Sequence, residues 1–410
     1  MTQPRLVIVD DGWGRFGPMT DRRAAFRLRT GVHNNRTRIE LRLGVMASDL
    51  RVPPAVAEVS RQRETDARVN QPLRRMGAAM FQARDGGSWR TVEAADDGPV
   101  LVVNGRWTGL GPPEPGDVLG LAAGHALVTG EGELIAALLD VDTAQGWLDA
   151  RCEGLPPGLT TRTVEDAPLL GRPWHVLDQL EATLAHDLRG VTTLKPVSAK
   201  VHPSAVLDDS GGPIMLGERV TIGALAVLEG PCYVGDDSQV MAHTYLRRLS
   251  VVGPGCRVAG EVSASVIHGQ SNKSHAGFLG HALVGQWVNL GAGTNVSNLK
   301  NTYGDVSLQL SRTGRPEDSH RMFHGPVIGD FVRTAIGTRL LTGSVVGTGA
   351  MIALSDFAPK FVERFAFLTD KGSMTTDVDK LLDTARIIVA RRSATLSPAD
   401  EALLRTLAEQ

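Results

Sequence analysis

From Leu216 an aliphatic side chain returns at every sixth position, through Ile222, Leu228, Val234, Val240, Leu246, Val252 and Val258, without a break in step. Small or modest side chains stand two places before most of these anchors (Ala226, Cys232, Ser238, Thr244, Ser250, Cys256), and glycines follow at Gly217, Gly223, Gly235 and Gly253. A sandwich strand would alternate with period two and turn at irregular intervals. A helix is excluded too, since six is no multiple of 3.6 and Gly217, Gly230, Pro231, Pro254 and Gly255 would break it. A period of six suits a three-sided solenoid, in which each hexad supplies one flat face and the anchors stack inside at a strand spacing of about 4.8 Å. The predicted fold of residues 200–353 is therefore a left-handed parallel β-helix, a hand that departs from the usual rule for parallel connections and so rests on the repeat itself.

After Val258 the phase slips by three residues, resumes at Ile267, Lys273 and Leu279, shortens by one to Val284, and continues through Leu290 and Val296. Residues 297–326 contain no hexads, and the register returns at Ile328, Thr334, Leu340, Val346 and Ile352. The interruption predicts a loop extruded from one face of the coil, where solenoid insertions tend to serve function. Before Lys195 the pattern changes to short apolar runs at 6–9, 39–45, 100–103, 119–128 and 134–139, separated by polar, Gly-rich and Pro-rich stretches. An α/β or α+β domain is expected there. Helical spacing at 174–188 predicts a connecting helix, and 377–391 and 397–408 read as terminal helices, the last opened by Ser397 as cap with Pro398 at its first position. The expected division is 1–195, an α/β domain with its connecting helix; 196–356, the coil; and 357–410, a helical appendage.

The chain of 410 residues carries 43 Lys plus Arg against 45 Asp plus Glu, a formal charge of -2. No global field would gather nucleic acid or an anionic membrane, so an anionic ligand must be held locally. Three scattered cysteines build neither a disulfide framework nor a Cys-based zinc site. The opening MTQPRLVIVDDGW lacks the pattern of a signal peptide, and no stretch has the length and apolarity of a membrane span. A cytoplasmic location is the resulting expectation.

Polar side chains gather where the coil loses its regularity: Asn272, Lys273 and His275, then Asn289. Moving an acyl group from a thioester to an amine needs a base with pKa near neutral and donors for the oxyanion, and histidine suits the first task. By position alone His275 could equally be a solvated histidine on the coil face. The run SNKSHAGFLGHALVGQWVNLGAGTNVSNLKNTYG resembles the acyltransferase domain of the bifunctional UDP-N-acetylglucosamine pyrophosphorylase and glucosamine-1-phosphate N-acetyltransferase, a hexapeptide-repeat acyltransferase. It is closer still to a group of sugar nucleotidyltransferase-family proteins with the same coil, and the similarity covers most of the chain. This resemblance implies that His275 is the catalytic base, Asn289 an active-site asparagine and Asn298 an acceptor contact. Asn272 and Lys273 are candidate acceptor contacts beside it. Phe278 and Leu299 stand where tyrosines are usual, and Ser263 where a sugar-phosphate lysine is usual; Arg247 or Arg248 is then expected to keep a phosphate contact. The resemblance further implies a homotrimer, acetyl-CoA or another acyl-CoA in the groove between neighbours, and the 297–326 loop over the acceptor. Ala282, Leu283 and Trp287 are candidates for an apolar wall.

A second site is expected at the N-terminus. Asp10 and Asp11 end the first predicted strand and lead into Gly12, Gly14, Arg15 and Gly17-Pro18-Met19-Thr20. Open α/β sheets place nucleotides at such strand ends, because backbone amides approach phosphate there. The stretch resembles a shortened sugar-nucleotidyltransferase signature. No lysine precedes Lys195, so arginines such as Arg15, Arg23 and Arg29 would have to meet the triphosphate. Asn104 and Arg106, after the strand 101–103, are further nucleotide or sugar contacts on this resemblance. Mg²⁺ would accompany active nucleotidyl transfer, with UTP or dTTP and a sugar phosphate as substrates, and only Asp10 and Asp11 offer themselves as ligands. Two rival classes stand beside this reading: a nucleotide-sugar-binding regulatory or scaffold protein with a degenerate N-terminal domain, and a zinc enzyme resembling γ-carbonic anhydrase, for which three imidazoles from adjacent subunits, with His243, His268, His275 and His281 as candidates, would have to converge.

Overall fold

A computed structural model describes residues 4–74, 79–85, 88–94 and 97–410. The chain divides into two compact units: Met1–Gly14, Arg23–Leu28 and His33–Gly171 in one, and Arg15–Arg22, Arg29–Val32 and Arg172–Gln410 in the other.

The first unit is built on a seven-stranded mixed sheet. Its strand Arg5–Val9 is apolar after the first residue and buried throughout, as a strand covered on both faces must be. It pairs in parallel with Ala47–Arg51 on one side and Val100–Asn104 on the other. The chain therefore builds outward in one direction, returns, and continues in the other, so the carboxyl ends of Arg5–Val9 and Val100–Asn104 flank a topological switch point. Leu134–Leu139 and His125–Thr129 extend the sheet by antiparallel pairing. The apolar run 39–45 lies mostly in a helix, Asn35–Leu43, because Asn34 caps it by accepting from the Thr37 amide at 2.9 Å and Gly44 ends it at φ 66°. The run 119–128 spans the end of a short helix and the strand His125–Thr129.

In the second unit short parallel strands stack in three faces as a left-handed parallel β-helix. The anchors from Leu216 to Val258 are at most 1% exposed and form one continuous core with Ile267, Leu279, Val284, Leu290, Val296, Ile328, Leu340, Val346 and Ile352. The small residues fill the corners, and their hydroxyls satisfy buried backbone: Ser238 Oγ donates to the Gly253 carbonyl at 2.9 Å and accepts from the Cys256 amide at 3.0 Å. A Cβ at Gly253 would stand 2.3 Å from the His268 carbonyl oxygen on the next rung, so only glycine fits.

The apparent phase slip after Val258 contains one more anchor, the fully buried Val262, reached by a shortened turn. The coil also runs past Ala353: Phe361–Val362 and Ala366–Thr369 continue two of its faces. Ala358 carries the interior position just ahead of them, too small to stand out as an anchor in the sequence. A hairpin to Gly372–Thr375 then leads into helices Val378–Ala390 and Pro398–Ala408, the second capped by Ser397. The 297–326 segment is more ordered than an extruded loop would be. Ser307–Leu308 pairs with Glu317–Asp318, and Val306, Leu308 and His324 are fully buried. The helix expected at 174–188 is two, Pro173–Asp178 and Leu180–Asp187, broken at Gln179. Ala282, expected as a wall for the thioester arm, lies inside the coil core.

Candidate active sites at the sheet edge and on the coil

At the switch point of the sheet, Asp11 is held from four directions. Its Oδ1 accepts from the Trp13 amide at 3.1 Å and Arg106 Nε at 2.9 Å; its Oδ2 accepts from Arg106 Nη2 and Asn104 Nδ2, both at 2.8 Å. Arg106 spends its remaining reach on Glu133 (2.7 Å) and the Leu170 carbonyl (3.0 Å). Asp10 accepts from the amides of Gly12 (3.1 Å) and Ala25 (2.6 Å). Burial pushes its carboxyl up to about 6, against the two amides that stabilise the charge. Asp11, with both oxygens doubly engaged, does not fit a pre-formed Mg²⁺ site, whereas each Asp10 oxygen accepts one amide and keeps a lone pair.

Two cavities open beside this network. One of about 280 Å³ is lined by Asp11, the exposed Trp13, Asn104 and Glu133; the other, of about 400 Å³, by Asp10, Gly12, Arg51 and Cys152. Gly12 sits at φ 75° with open space where a Cβ would project, so its backbone can be approached closely. Arg51 is not among the residues expected from the sequence. It ends the strand Ala47–Arg51, lines the larger cavity, and its buried Nη1 has no hydrogen-bond partner among the described residues. A signal for it exists, as an arginine closing a strand in a domain without lysine. Cys152 is no nucleophile, because burial pushes its thiol up to about 12. Arg23 is buried. Gly14 closes the first segment of this unit, while Arg15 is grouped with the second unit, where Nη2 donates to Glu317 at 3.0 Å.

On the coil, His275 is exposed in the turn that joins Asn272–Lys273 on one face to Phe278–Gly280 on the next. That turn is tied from within. Lys273 occupies an interior position opposite Val258, and its Nζ donates to the carbonyls of Ala259 (2.7 Å), His275 (3.2 Å) and Gly277 (2.6 Å). Burial pushes its amine down to about 8, so it stays mostly charged at neutral pH and its three donors match three acceptors. Asn272 and Asn289 share a face, their side chains 3.5 Å apart, and Asn272 Oδ1 accepts from Arg392 at 2.6 Å.

Asn298 belongs to a different cluster, 2.8 Å from His281 Nδ1. His281 stacks on Phe323 with centroids 5.2 Å apart, and burial together with the cations of Arg321 and Arg247 pushes it down to about 4. His324 is fully buried, its Nδ1 2.7 Å from the Gly325 carbonyl and its Nε2 without a hydrogen-bond partner among the described residues. Phe278 packs so tightly that a Cβ at Gly280 would lie 2.4 Å from its ring and 2.7 Å from Asn298 Nδ2. Arg321, Phe323 and His324 come from the non-repeat segment, which gives no periodicity from which to assign them. Within one chain the four histidines considered for zinc form no ligand group among the described residues. The group that does assemble, Asp305, Asp318 and His320, is exposed on that segment.

Residues 6–195 match the family described as sugar nucleotidyl transferase. The bifunctional protein GlmU of Methanococcus vannielii is 26% identical over 205 residues, 50% of this chain and 47% of that protein. GlmU of a Synechococcus species is 33% identical over 121 residues, 28% of this chain and 26% of that protein. The chain thus spans under half the length of these curated relatives. The structure of Francisella novicida UDP-N-acetylglucosamine acyltransferase matches 49% of this chain and 74% of its own at 14% identity, with a TM-score of 0.23. No helix among the described residues is long and apolar enough to cross a membrane. Residues 6–195 are thus similar to the sugar nucleotidyl transferase family, and half of the chain aligns with GlmU at 26% identity.

Proposed function

We propose that the chain is a two-headed transferase of sugar-nucleotide metabolism. Its sheet unit joins a nucleoside triphosphate to a sugar phosphate, and its coil acylates an amine on an amino sugar or sugar phosphate from acyl-CoA, acetyl-CoA being the simplest donor. The family match over 6–195 supports the first half. The observation that carries the second is the exposed His275 on a turn whose backbone is fixed from inside by Lys273. In this reading the acceptor amine attacks the thioester carbonyl while the His275 ring takes its proton, and the CoA thiolate leaves as the C–N bond forms. Asn289 and Asn272 on one face, and Asn298, Arg247 and Arg321 on the next, are the proposed acceptor and donor contacts. The proposed assembly is a homotrimer whose neighbouring coils complete each site.

At the sheet edge, Gly12 and Arg51 are the proposed phosphate contacts, and Asp10, Asp11, Asn104 and Arg106 hold the crevice in shape. Any Mg²⁺ would be carried by the triphosphate. The proposed functional division is 1–195 and a coil from 196, with the coil carried past 356 to Thr369 before the terminal helices, and the proposed location is the cytoplasm. The test is a paired assay on the full chain: thiol release from a panel of acyl-CoAs with amino-sugar phosphates, and pyrophosphate release from UTP or dTTP with Mg²⁺ and a panel of sugar 1-phosphates. Both signals are expected. Silence of the first across the panel would remove the acyltransferase reading, and silence of the second the nucleotidyltransferase one.

A further inference from the structure

The smaller of the two cavities beside the switch point has a volume of about 280 Å³, near the lower end of ligand pockets, roughly 300–1,000 Å³. That size suits one ring with its substituents better than a whole nucleotide. Two tryptophans line it. Trp147 is buried and anchored, its Nε1 donating to the Gly154 carbonyl at 3.1 Å. Trp13 is 61% exposed, although its own backbone is fixed by the amide that donates to Asp11 Oδ1 at 3.1 Å. An indole left in water beside an apolar floor of Val9, Val102 and Leu134 is a surface on which a ring can lie.

The charge of the lining narrows what that ring carries. Among the described residues the cavity is lined by three carboxylates, Asp11, Glu131 and Glu133, and by no lysine, arginine or histidine. The guanidinium bonded to two of them, that of Arg106, supplies one positive charge against three negative ones. Asp11 is taken up by Arg106, Asn104 and the Trp13 amide, and Glu133 gives Oε1 to Arg106 at 2.7 Å. The second oxygen of Glu133 remains for a ligand, as does Glu131, exposed on the turn between His125–Thr129 and Leu134–Leu139. Arg51 and Arg151, the cations that could meet a phosphate, line the other cavity. A concave site with surplus negative charge gathers cations, and the face of a tryptophan is the best aromatic partner for an ammonium group.

We propose that the sheet unit takes a sugar 1-phosphate whose amine is still free, the ring lying on Trp13 and the ammonium group meeting Glu131 and Glu133. This rests on the nucleotidyltransferase reading and fixes the order of the two reactions. An oxygen of the sugar's phosphate attacks the α-phosphorus of the nucleoside triphosphate, pyrophosphate leaves, and the amine passes through unchanged; acylation follows, on the nucleotide-linked amino sugar. In the reverse order a neutral N-acyl group would reach the cavity and leave Glu131 without a cation.

The test compares glucosamine 1-phosphate with N-acetylglucosamine 1-phosphate, and galactosamine 1-phosphate with its N-acetyl form, on the full chain. Each is titrated by calorimetry and assayed for pyrophosphate release with Mg²⁺ and UTP or dTTP. In at least one pair the free amine is expected to be favoured about tenfold or more, in Kd and in kcat/KM alike, as one hydrogen bond to a charged group implies. Glu131→Gln, on an exposed turn, is expected to cut that ratio at least about fivefold, a change that a merely structural residue would not produce. A ratio near one in both pairs, preference for the N-acetyl forms, no saturable heat with either amine, or a ratio unmoved in Glu131→Gln would overturn the proposal while pyrophosphate release kept the nucleotidyltransferase reading alive. Silence of pyrophosphate release with all four sugars would strike that reading instead, and the calorimetric ratio alone would then decide what the cavity binds.

Discussion

Arg106 in the sheet unit and Lys273 in the coil are both buried cations, yet they are neutralised by different means. Arg106 faces the carboxylates of Asp11 and Glu133, at 2.8 and 2.7 Å. Lys273 donates to backbone carbonyls, with Glu261 a nearby charge rather than a bonded partner. In the first arrangement the charges hold one another, and removing either strands the other in a low-dielectric interior. In the second the chain's own turn supplies the compensation, so the charge reports on the geometry of that turn. The sheet edge is thus a crevice kept rigid by an ionic lattice, and the coil corner a backbone loop kept in place by one ammonium group.

If His275 is the base on that corner, the two units can be separated chemically. His275→Ala is expected to lower thiol release from acyl-CoA by about 10²–10⁴-fold and leave pyrophosphate release unchanged. Unchanged thiol release would break the assignment outright. Next in size is Asp11→Ala, which leaves the nearly buried Arg106 with a single carboxylate. The expected cost is about 3–5 kcal/mol, read as a shift in urea unfolding. A cost near that of an ordinary surface substitution would mean that the lattice contributes little and that the crevice is held by the surrounding apolar strands instead.

What can be read from the sequence divides along the same line. Hexads are legible because a solenoid demands the same steric answer at every rung, and from Leu216 to Val258 each predicted anchor is buried. Legibility fails where the rung count changes without a bulky marker. Val262 sits in a strand reached by a shortened turn and Ala358 fills its position with a single methyl, so neither stands out. Lys273 is readable as a break in the aliphatic series, but periodicity does not tell that its amine turns inward. His324 and Arg321 come from a segment without repeat, and partners between strands of the sheet unit, such as Asp11 with Arg106, are separated by the fold's own long connections.

The coil arrangement has a pH signature. Lys273 titrates at about 8 in the folded chain, below its ordinary 10.5. Between those values the unfolded chain binds a proton that the folded chain has released, so stability rises with pH across that window and is flat below it. The total is about 3 kcal/mol. Urea unfolding at pH 7.5 and pH 10 is expected to show the rise in the unmodified chain and to lose it in Lys273→Met. Parallel curves for the two proteins would show that the amine is solvated and the His275 turn is held by something else.

The smallest expected effect bears on the question the missing lysine raises. A triphosphate needs a fixed cation, and of the arginines anticipated for that task Arg23 is buried and Arg15 is paired with Glu317. Arg51 differs from both: its buried Nη1 has no hydrogen-bond partner among the described residues, and it lines the same cavity as Gly12, where backbone can approach an anion. Arg51→Met should therefore weaken kcat/KM for pyrophosphate release by about 10- to 100-fold, the loss of one hydrogen bond to a charged group, with thiol release unaffected. Arg51→Lys should recover part of the loss, since a point charge restores attraction but not the planar fork. If Arg51→Met turns over like the unmodified chain, the phosphate lies in the neighbouring cavity with Trp13, and Arg51 remains a buried cation held by the nearby charges of Asp49 and Asp149.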